Sequence, residues 1–170
     1  MSDIIIREAQ PEDAAQLIVF LQRLFSEPQV DVLTAPEEFR LTVEEEQVII
    51  KEYAASENSV FFVAEVDAHI VGMLNCDGGK RKAIRHAATL GVSVSKDWRN
   101  RGVGSTLMAS ALAWAKNTSI IKRIELTVFA RNAAAIHVYK KYGFVVEGRR
   151  RRSIYRDGEY LDDVMMALIL

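Results

Sequence analysis

Val92-Ser93-Val94-Ser95-Lys96-Asp97-Trp98-Arg99-Asn100-Arg101-Gly102-Val103-Gly104-Ser105 carries a strand into a basic, glycine-containing turn that opens directly into a helix. A junction of this kind is an anion site in outline. The first N–H groups of a helix have no intrahelical partner, and the helix dipole adds partial positive charge there. Gly102 and Gly104 lack Cβ atoms, so a phosphate can approach the backbone, and Arg99 and Arg101 bring charge beside it. A plain glycine-assisted turn accounts for the same spacing. The segment is neither a Walker loop, since no Gly-Lys-Ser/Thr follows, nor the dinucleotide Gly-x-Gly-x-x-Gly.

Outward from this junction the pattern reads as alternating layers. Ala87 to Val94 is the strand that enters the turn, and Gly102 to Lys116 is the helix, with Val103, Leu107, Met108, Leu112 and Ala115 on one side. Arg123 to Phe129 alternates as a strand. Asn132 to Tyr142 is helical and stops at Gly143, a suitable left-handed C-cap. Phe144 to Leu170 holds two strands joined by a turn at Arg156-Asp157-Gly158. Upstream, Val60 to Val66 and Ile70 to Cys76 form a hairpin about Asp67-Ala68-His69, followed by a turn at Asp77-Gly78-Gly79-Lys80. Ile4 to Arg7 is a short strand. Pro11 opens a helix to about Phe25, Ser26 to Phe39 is a loop, and Thr42-Val-Glu-Glu is a capping box for a helix to about Ser56. The order is β-α-α-β-β-β-α-β-α-β-β, an α/β layered domain.

Composition narrows the function classes. At 170 residues the chain is one domain by size, with 49% hydrophobic and 26% charged residues, ordinary for a globular protein. Lys and Arg number 22 against 23 Asp and Glu, a balance that argues against a dedicated nucleic-acid binder. Cys76 is the single cysteine, so no intramolecular disulfide forms, and His69, His86 and His137 are scattered rather than spaced for metal. No metal is expected. The longest apolar run, Val164 to Leu170, is far short of a membrane span, and Met1-Ser2-Asp3 is acidic where a secretory signal is basic. The cytoplasm is the expected location.

Arg99-x-x-Gly102-x-Gly104 resembles the Arg/Gln-x-x-Gly-x-Gly/Ala signature of the GCN5-related N-acetyltransferase (GNAT) family. A second match follows: Leu126-Thr-Val-Phe-Ala-Arg-Asn132, then Ala134 to Phe144 with Tyr139-x-Lys141-x-Gly143-Phe144. Tyr155-Arg-Asp-Gly-Glu-Tyr-Leu-Asp-Asp-Val-Met-Met-Ala-Leu168 resembles the closing strands of many bacterial members. The matches cover residues 85 to 168. The resemblance implies a single GNAT domain over 1–170: a twisted, mixed, mostly antiparallel sheet of six to seven strands with about four helices on its two faces. It implies acetyl-CoA as cosubstrate. Arg99, Asn100, Arg101, Gly102, Val103, Gly104, Ser105 and Thr106 would hold the pyrophosphate, and Val92 and Val94 the pantetheine. Asn132, Ala135 and Tyr139 would meet the thiol end, with Tyr139 as general acid.

Direct acetyl transfer needs a neutral amine, a stabiliser for developing oxyanion charge and a proton for the departing thiolate. A tyrosine, with a reference pKa of about 10, is protonated at neutral pH and can donate, though a helix aromatic packed in the core explains Tyr139 as well. Many relatives carry a carboxylate near the start of the fourth strand. Here the stretch is His86-Ala87-Ala88-Thr89, leaving His86, Glu125, Glu65 or water to deprotonate the amine. Gly148-Arg149-Arg150-Arg151-Arg152 reads as a strand whose arginines pair with Glu147, Asp157 and Glu159, the alternative being a patch for an acidic partner. Cys76 reads as packing rather than nucleophile. The expected activity is N-acetylation of a small-molecule primary amine (an amino acid, an analogue or a polyamine). A protein N-terminal or lysine amine and a non-catalytic acyl-CoA sensor are the alternatives, and a homodimer accords with the resemblance.

Overall fold

The strand and helix patterns resolve into one sheet with helices on both faces. In the computed structural model, residues 3–170 are described; Met1 and Ser2, the start of the N-terminal reading above, lie outside them. Seven strands form among the described residues: β1 (Ile5–Glu8), β2 (Val60–Val66), β3 (His69–Gly78), β4 (Ala87–Val94), β5 (Arg123–Phe129), β6 (Val145–Arg156) and β7 (Glu159–Ile169). They lie in the order β1-β2-β3-β4-β5-β7-β6. Every pairing is antiparallel except β4 with β5. The helices are α1 (Ala14–Phe25), α2 (Val43–Ala54), α3 (Val103–Asn117) and α4 (Ala133–Lys141). None is long and apolar enough to cross a membrane.

Local chemistry sets the helix ends. Pro11 starts a 3-10 turn, where its missing N–H costs nothing, and α1 follows. At α2, Thr42 Oγ1 accepts from the Glu45 N–H at 3.2 Å while Glu45 Oε2 accepts from the Thr42 N–H at 2.9 Å, the expected capping box. Gly143 ends α4 at φ +91°, a left-handed position that glycine adopts without strain.

Strand alternation divides the core. Phe61 and Val63 of β2 pack with Leu17, Phe20 and Ile50 of α1 and α2, whereas Val60 and Ala64 join Leu107, Met108 and Ala111 of α3. The second cluster continues through Leu74, Leu90, Ile124, Leu126 and Phe144, and it is the larger. Arg7 ties β1 to both α1 and β2, bonding Asp13 at 2.7 and 2.8 Å and Glu65 at 2.7 and 3.0 Å.

Two expectations are corrected. Asp77 and Gly78 do not open a turn but extend β3, paired with Thr89 and Ala88. Of the Arg149–Arg152 run, no arginine pairs with Glu147, Asp157 or Glu159 among the described residues; Asp157 meets Arg156 instead, at 3.5 Å. Arg149 bonds Asp162 and Arg150 bonds Asp163, both on β7 across the ladder, while Glu147 is held by Arg123. The cause is register: the β6–β7 pairing shifts between Val146 and Gly148, which sets Arg150 opposite Asp163, and it shifts again between Arg150 and Ile154, where Arg152 takes φ +53°.

Candidate active site

The parallel pairing of β4 with β5 lasts only from Ala87 to Thr89 on β4, matched to Arg123 to Glu125. Beyond it the strands part, and a cleft of about 540 Å³ opens between Leu90–Val94 on one side and Thr127–Phe129 on the other. Beyond Thr89 the β5-facing edge of β4 has no strand partner, and the Val94 C=O is met by the Arg99 side chain. The Ser95 N–H bonds Val71 on the β3 side, at 2.9 Å, whereas the His86 C=O bonds Lys122 and Arg123 on the β5 side. By strand alternation the N–H and C=O of Leu90, Val92 and Val94 point toward β5, into the gap. Val92 and Val94, the residues expected to hold the pantetheine, both line it.

At the end of β4 the chain turns through Asn100 (φ +60°) and Gly102 (φ +87°) into α3. Gly102 is the N-cap. A Cβ there meets nothing within 4 Å, so the strain of the left-handed backbone, not crowding, is what requires glycine. The first intrahelical bond is Thr106 N–H to Gly102 C=O at 2.9 Å, which leaves the N–H groups of Val103, Gly104 and Ser105 without helical partners. These three face the mouth of the turn and fit an anion. Gly104 and Ser105 line the cleft; the Val103 side chain is fully buried in the core, so only its backbone is available. Thr106 donates its hydroxyl as well to Gly102 C=O, at 3.1 Å, and lies outside the cleft. Arg101 stacks on Trp98 at 5.2 Å and also lies outside. Arg99 lines the cleft with its guanidinium engaged: Nε donates to Val94 C=O at 2.9 Å and Nη2 to Glu27 at 2.6 Å.

The other wall comes from α4. Asn132 caps it, its Oδ1 accepting from the Ala135 N–H at 3.1 Å, and both residues line the cleft. Tyr139 reaches in two turns on. Its ring leans on Phe144, 5.9 Å between centroids, and burial pushes its hydroxyl above the ordinary value. That hydroxyl makes no hydrogen bond to a described residue, yet it is not sealed from solvent, so it opens into the cleft. Tyr142 does something different: its hydroxyl donates to Ser105 C=O at 2.9 Å and ties α4 to the start of α3.

The remaining side of the cleft was not legible in the sequence. Asp31, Val32 and Leu33, in the segment between α1 and α2, line it together with Asn75. Three arginines strap that segment down: Arg99 to Glu27, Arg131 to Asp31 at 2.8 Å, and Arg156 to the Val32 carbonyl. None of the expected bases reaches the cleft. His86 is exposed at the paired end of β4, Glu65 is held by Arg7, and Glu125 by Arg123 at 2.8 Å. Cys76 is fully buried, and burial pushes its thiol up to about 12.

Comparison with known proteins agrees with this geometry. An L-amino acid N-acetyltransferase from Escherichia coli is 35% identical over 169 residues, covering 99% of each chain. The crystal structure of an acetyltransferase from Streptococcus pneumoniae superposes with a TM-score of 0.95 at 36% identity, over 99% of this chain and 100% of that one. A Salmonella typhimurium protein solved with its cofactor acetyl-CoA shares the fold, with a TM-score of 0.86 at 17% identity over 98% and 94% of the two chains. The model of the acetyltransferase (GNAT) family matches residues 21–144. With the splayed β4–β5 pair and the open helix N-terminus, these matches establish that the chain belongs to the GNAT family and is an N-acetyltransferase.

Proposed function

We propose that this enzyme transfers the acetyl group of acetyl-CoA directly to the primary amine of a small molecule, an amino acid foremost, with amino-acid analogues and polyamines in the same class. The observation that carries the reading is the continuous track from the N–H groups of Val103, Gly104 and Ser105, along the open edge of β4, to the Tyr139 hydroxyl. The full-length likeness to an L-amino acid N-acetyltransferase supports the acceptor class.

Acetyl-CoA supplies an activated acyl thioester. The α3 N-terminus would hold its pyrophosphate, and the β4 N–H groups of Val92 and Val94 its amide-bearing arm. The part of the β4 N–H edge beyond its pairing with β5 would supply a donor for oxyanion charge on the acetyl carbonyl. Tyr139 gives its proton to the departing sulfur, and its apolar setting keeps that proton in place until then. Asn132 offers its side-chain N–H₂ to the thiol end, since its Oδ1 is committed to the Ala135 N–H. Cys76 takes no part, because a buried thiol with its pKa at about 12 neither ionises nor meets the thioester.

Calorimetric titration with acetyl-CoA, wild type against Gly104→Asp, tests the donor site. A Cβ at 104 meets only Val94 Cγ2, at 3.7 Å, so the substitution is tolerated by the fold. It places a carboxylate where phosphate charge is held, and affinity should fall by about 30-fold or more, roughly 2 kcal/mol. Unchanged affinity in a folded variant overturns the pyrophosphate assignment. Thiol release across the L-amino acids and spermidine then tests the acceptor.

A further inference from the structure

Carboxylates around the cleft are paired with cations: Glu27 with Arg99, Asp31 with Arg131, Glu125 with Arg123. Asp77 differs. It forms no salt bridge among the described residues, and two neutral donors hold it: the Tyr53 hydroxyl on Oδ1 and the Asn75 amide on Oδ2, at 2.8 Å. The Asn75 amide also donates to the Tyr53 hydroxyl, at 3.1 Å, closing a triangle. Asn75 lines the cleft opposite Gly91. A Cβ at position 91 would lie 2.9 Å from Asn75 Oδ1, so glycine on β4 is what leaves room for this amide.

The triangle draws on three elements. Tyr53 comes from α2, its ring packed edge-on against Phe61 at 5.3 Å, and burial raises its pKa so that it remains a donor. Asn75 and Asp77 come from successive positions on one face of β3, and Asp77 sits beside Thr89 at the point where β4 and β5 begin to part. Asp77 itself is exposed. The result is an oriented, solvent-reachable carboxylate, without a salt bridge among the described residues, one hydrogen bond from a cleft-lining side chain. An exposed carboxylate with only a solubilising role needs neither the orienting tyrosine nor the glycine opposite.

We infer that Asp77, held in place by Tyr53 and Asn75, binds the ammonium group of the acceptor at the mouth of the cleft. The assignment rests on the acetyl-transfer reading above. Forming the amide removes two protons from the ammonium; one leaves to water past the exposed Asp77 and one ends on the departing sulfur as the C–N bond forms and the C–S bond breaks. Asp77 is thus a specificity-determining residue, and Tyr53 and Asn75 are positioning residues.

The test is steady-state kinetics of Asp77→Asn and Tyr53→Phe, using whichever amine of the L-amino acid and spermidine panel the wild type turns over fastest. In Asp77→Asn the acceptor KM rises about 10- to 100-fold, the loss of a charge-assisted contact, while the acetyl-CoA KM stays within twofold. Tyr53→Phe keeps the ring and raises the acceptor KM by roughly 3- to 10-fold. A purely structural role would instead lower the unfolding temperature and leave both KM values alone. An unchanged acceptor KM in Asp77→Asn, or a change confined to kcat, overturns this assignment while leaving acetyl transfer intact. Wild-type protein that binds acetyl-CoA and acetylates no amine of the panel overturns the functional reading, and this assignment with it.

Discussion

Replacing Tyr139 by phenylalanine removes one oxygen from a site where that oxygen bonds no described residue. The ring keeps its packing against Phe144, so the folded state should change by no more than about 0.5 kcal/mol. Chemistry should change far more. A positioned general acid contributes on the order of 100-fold or more, about 2.7 kcal/mol of barrier. The prediction is therefore a fall in kcat of about 100-fold with acetyl-CoA affinity within threefold of wild type. Tyr142→Phe is the matched control, because it deletes a hydroxyl of the same helix that does bond, to Ser105 C=O at 2.9 Å. That variant should lose about 1 kcal/mol of stability and keep kcat within about threefold. The two substitutions thus have opposite signatures. Thiol release under saturating acceptor gives kcat, calorimetry gives affinity and urea melts give stability. Burial raises the Tyr139 pKa above its ordinary value of 10.0, so wild-type kcat should show no loss attributable to this residue through mildly alkaline pH. A Tyr139→Phe enzyme with kcat within threefold of wild type refutes the acid role.

Two further outcomes test other parts of the structure. The Arg7 guanidinium holds the buried Asp13 carboxyl below its ordinary value of 3.8, so the stability it contributes is complete above about pH 4 and is lost as pH falls through the lower folded value. Asp13→Asn should cost about 2 kcal/mol in urea melts at pH 7 and flatten the acid limb; an unaltered limb overturns the account. Cys76, with its pKa pushed up to about 12, should resist iodoacetamide in the native protein at pH 8 and react at once in urea. Rapid native labelling, or an acetylated protein after mixing with acetyl-CoA, would contradict direct transfer.

How much of this was legible from residues alone depends on range. The donor half of the site is local: Ser95 to Ser105 is one strand-turn-helix unit whose glycines and unpaired N–H groups follow from helix geometry. Asn132 is read from sequence as the first residue of a helical run, and the structure makes it the cap of that helix, its Oδ1 accepting from the Ala135 N–H. The directions of the loop's side chains are less local. Arg101, expected to bring charge to the phosphate, and Thr106, the last residue of the expected loop, both lie outside the cleft. One stacks on Trp98 and the other back-bonds to Gly102, as the helical path dictates. The same limit applies to Arg149 and Arg150: acids near in sequence are not their partners, because the β6–β7 register sets them beside Asp162 and Asp163.

The acceptor half is a product of long-range register, and that is why no motif announced it. Glu27 meets Arg99, Asp31 meets Arg131, and the Val32 carbonyl meets Arg156, joining segments 72, 100 and 124 positions apart. Each strap starts from a different part of the catalytic frame: the turn before α3, the turn before α4, and the end of β6. The segment between α1 and α2, whose prolines and scattered acids show no period, is therefore tied down by residues of the elements proposed to hold the donor. This coupling has a physical consequence. The Arg99 guanidinium simultaneously bonds Val94 C=O on the open edge of β4 and Glu27 on the acceptor side, so one side chain spans the donor track and the acceptor wall. A charge drawn toward a bound pyrophosphate at this arginine would be felt by Glu27 in the same step. The wall proposed for the acceptor and the loop proposed for the donor are in this sense one electrostatic unit, built from residues that the chain keeps far apart.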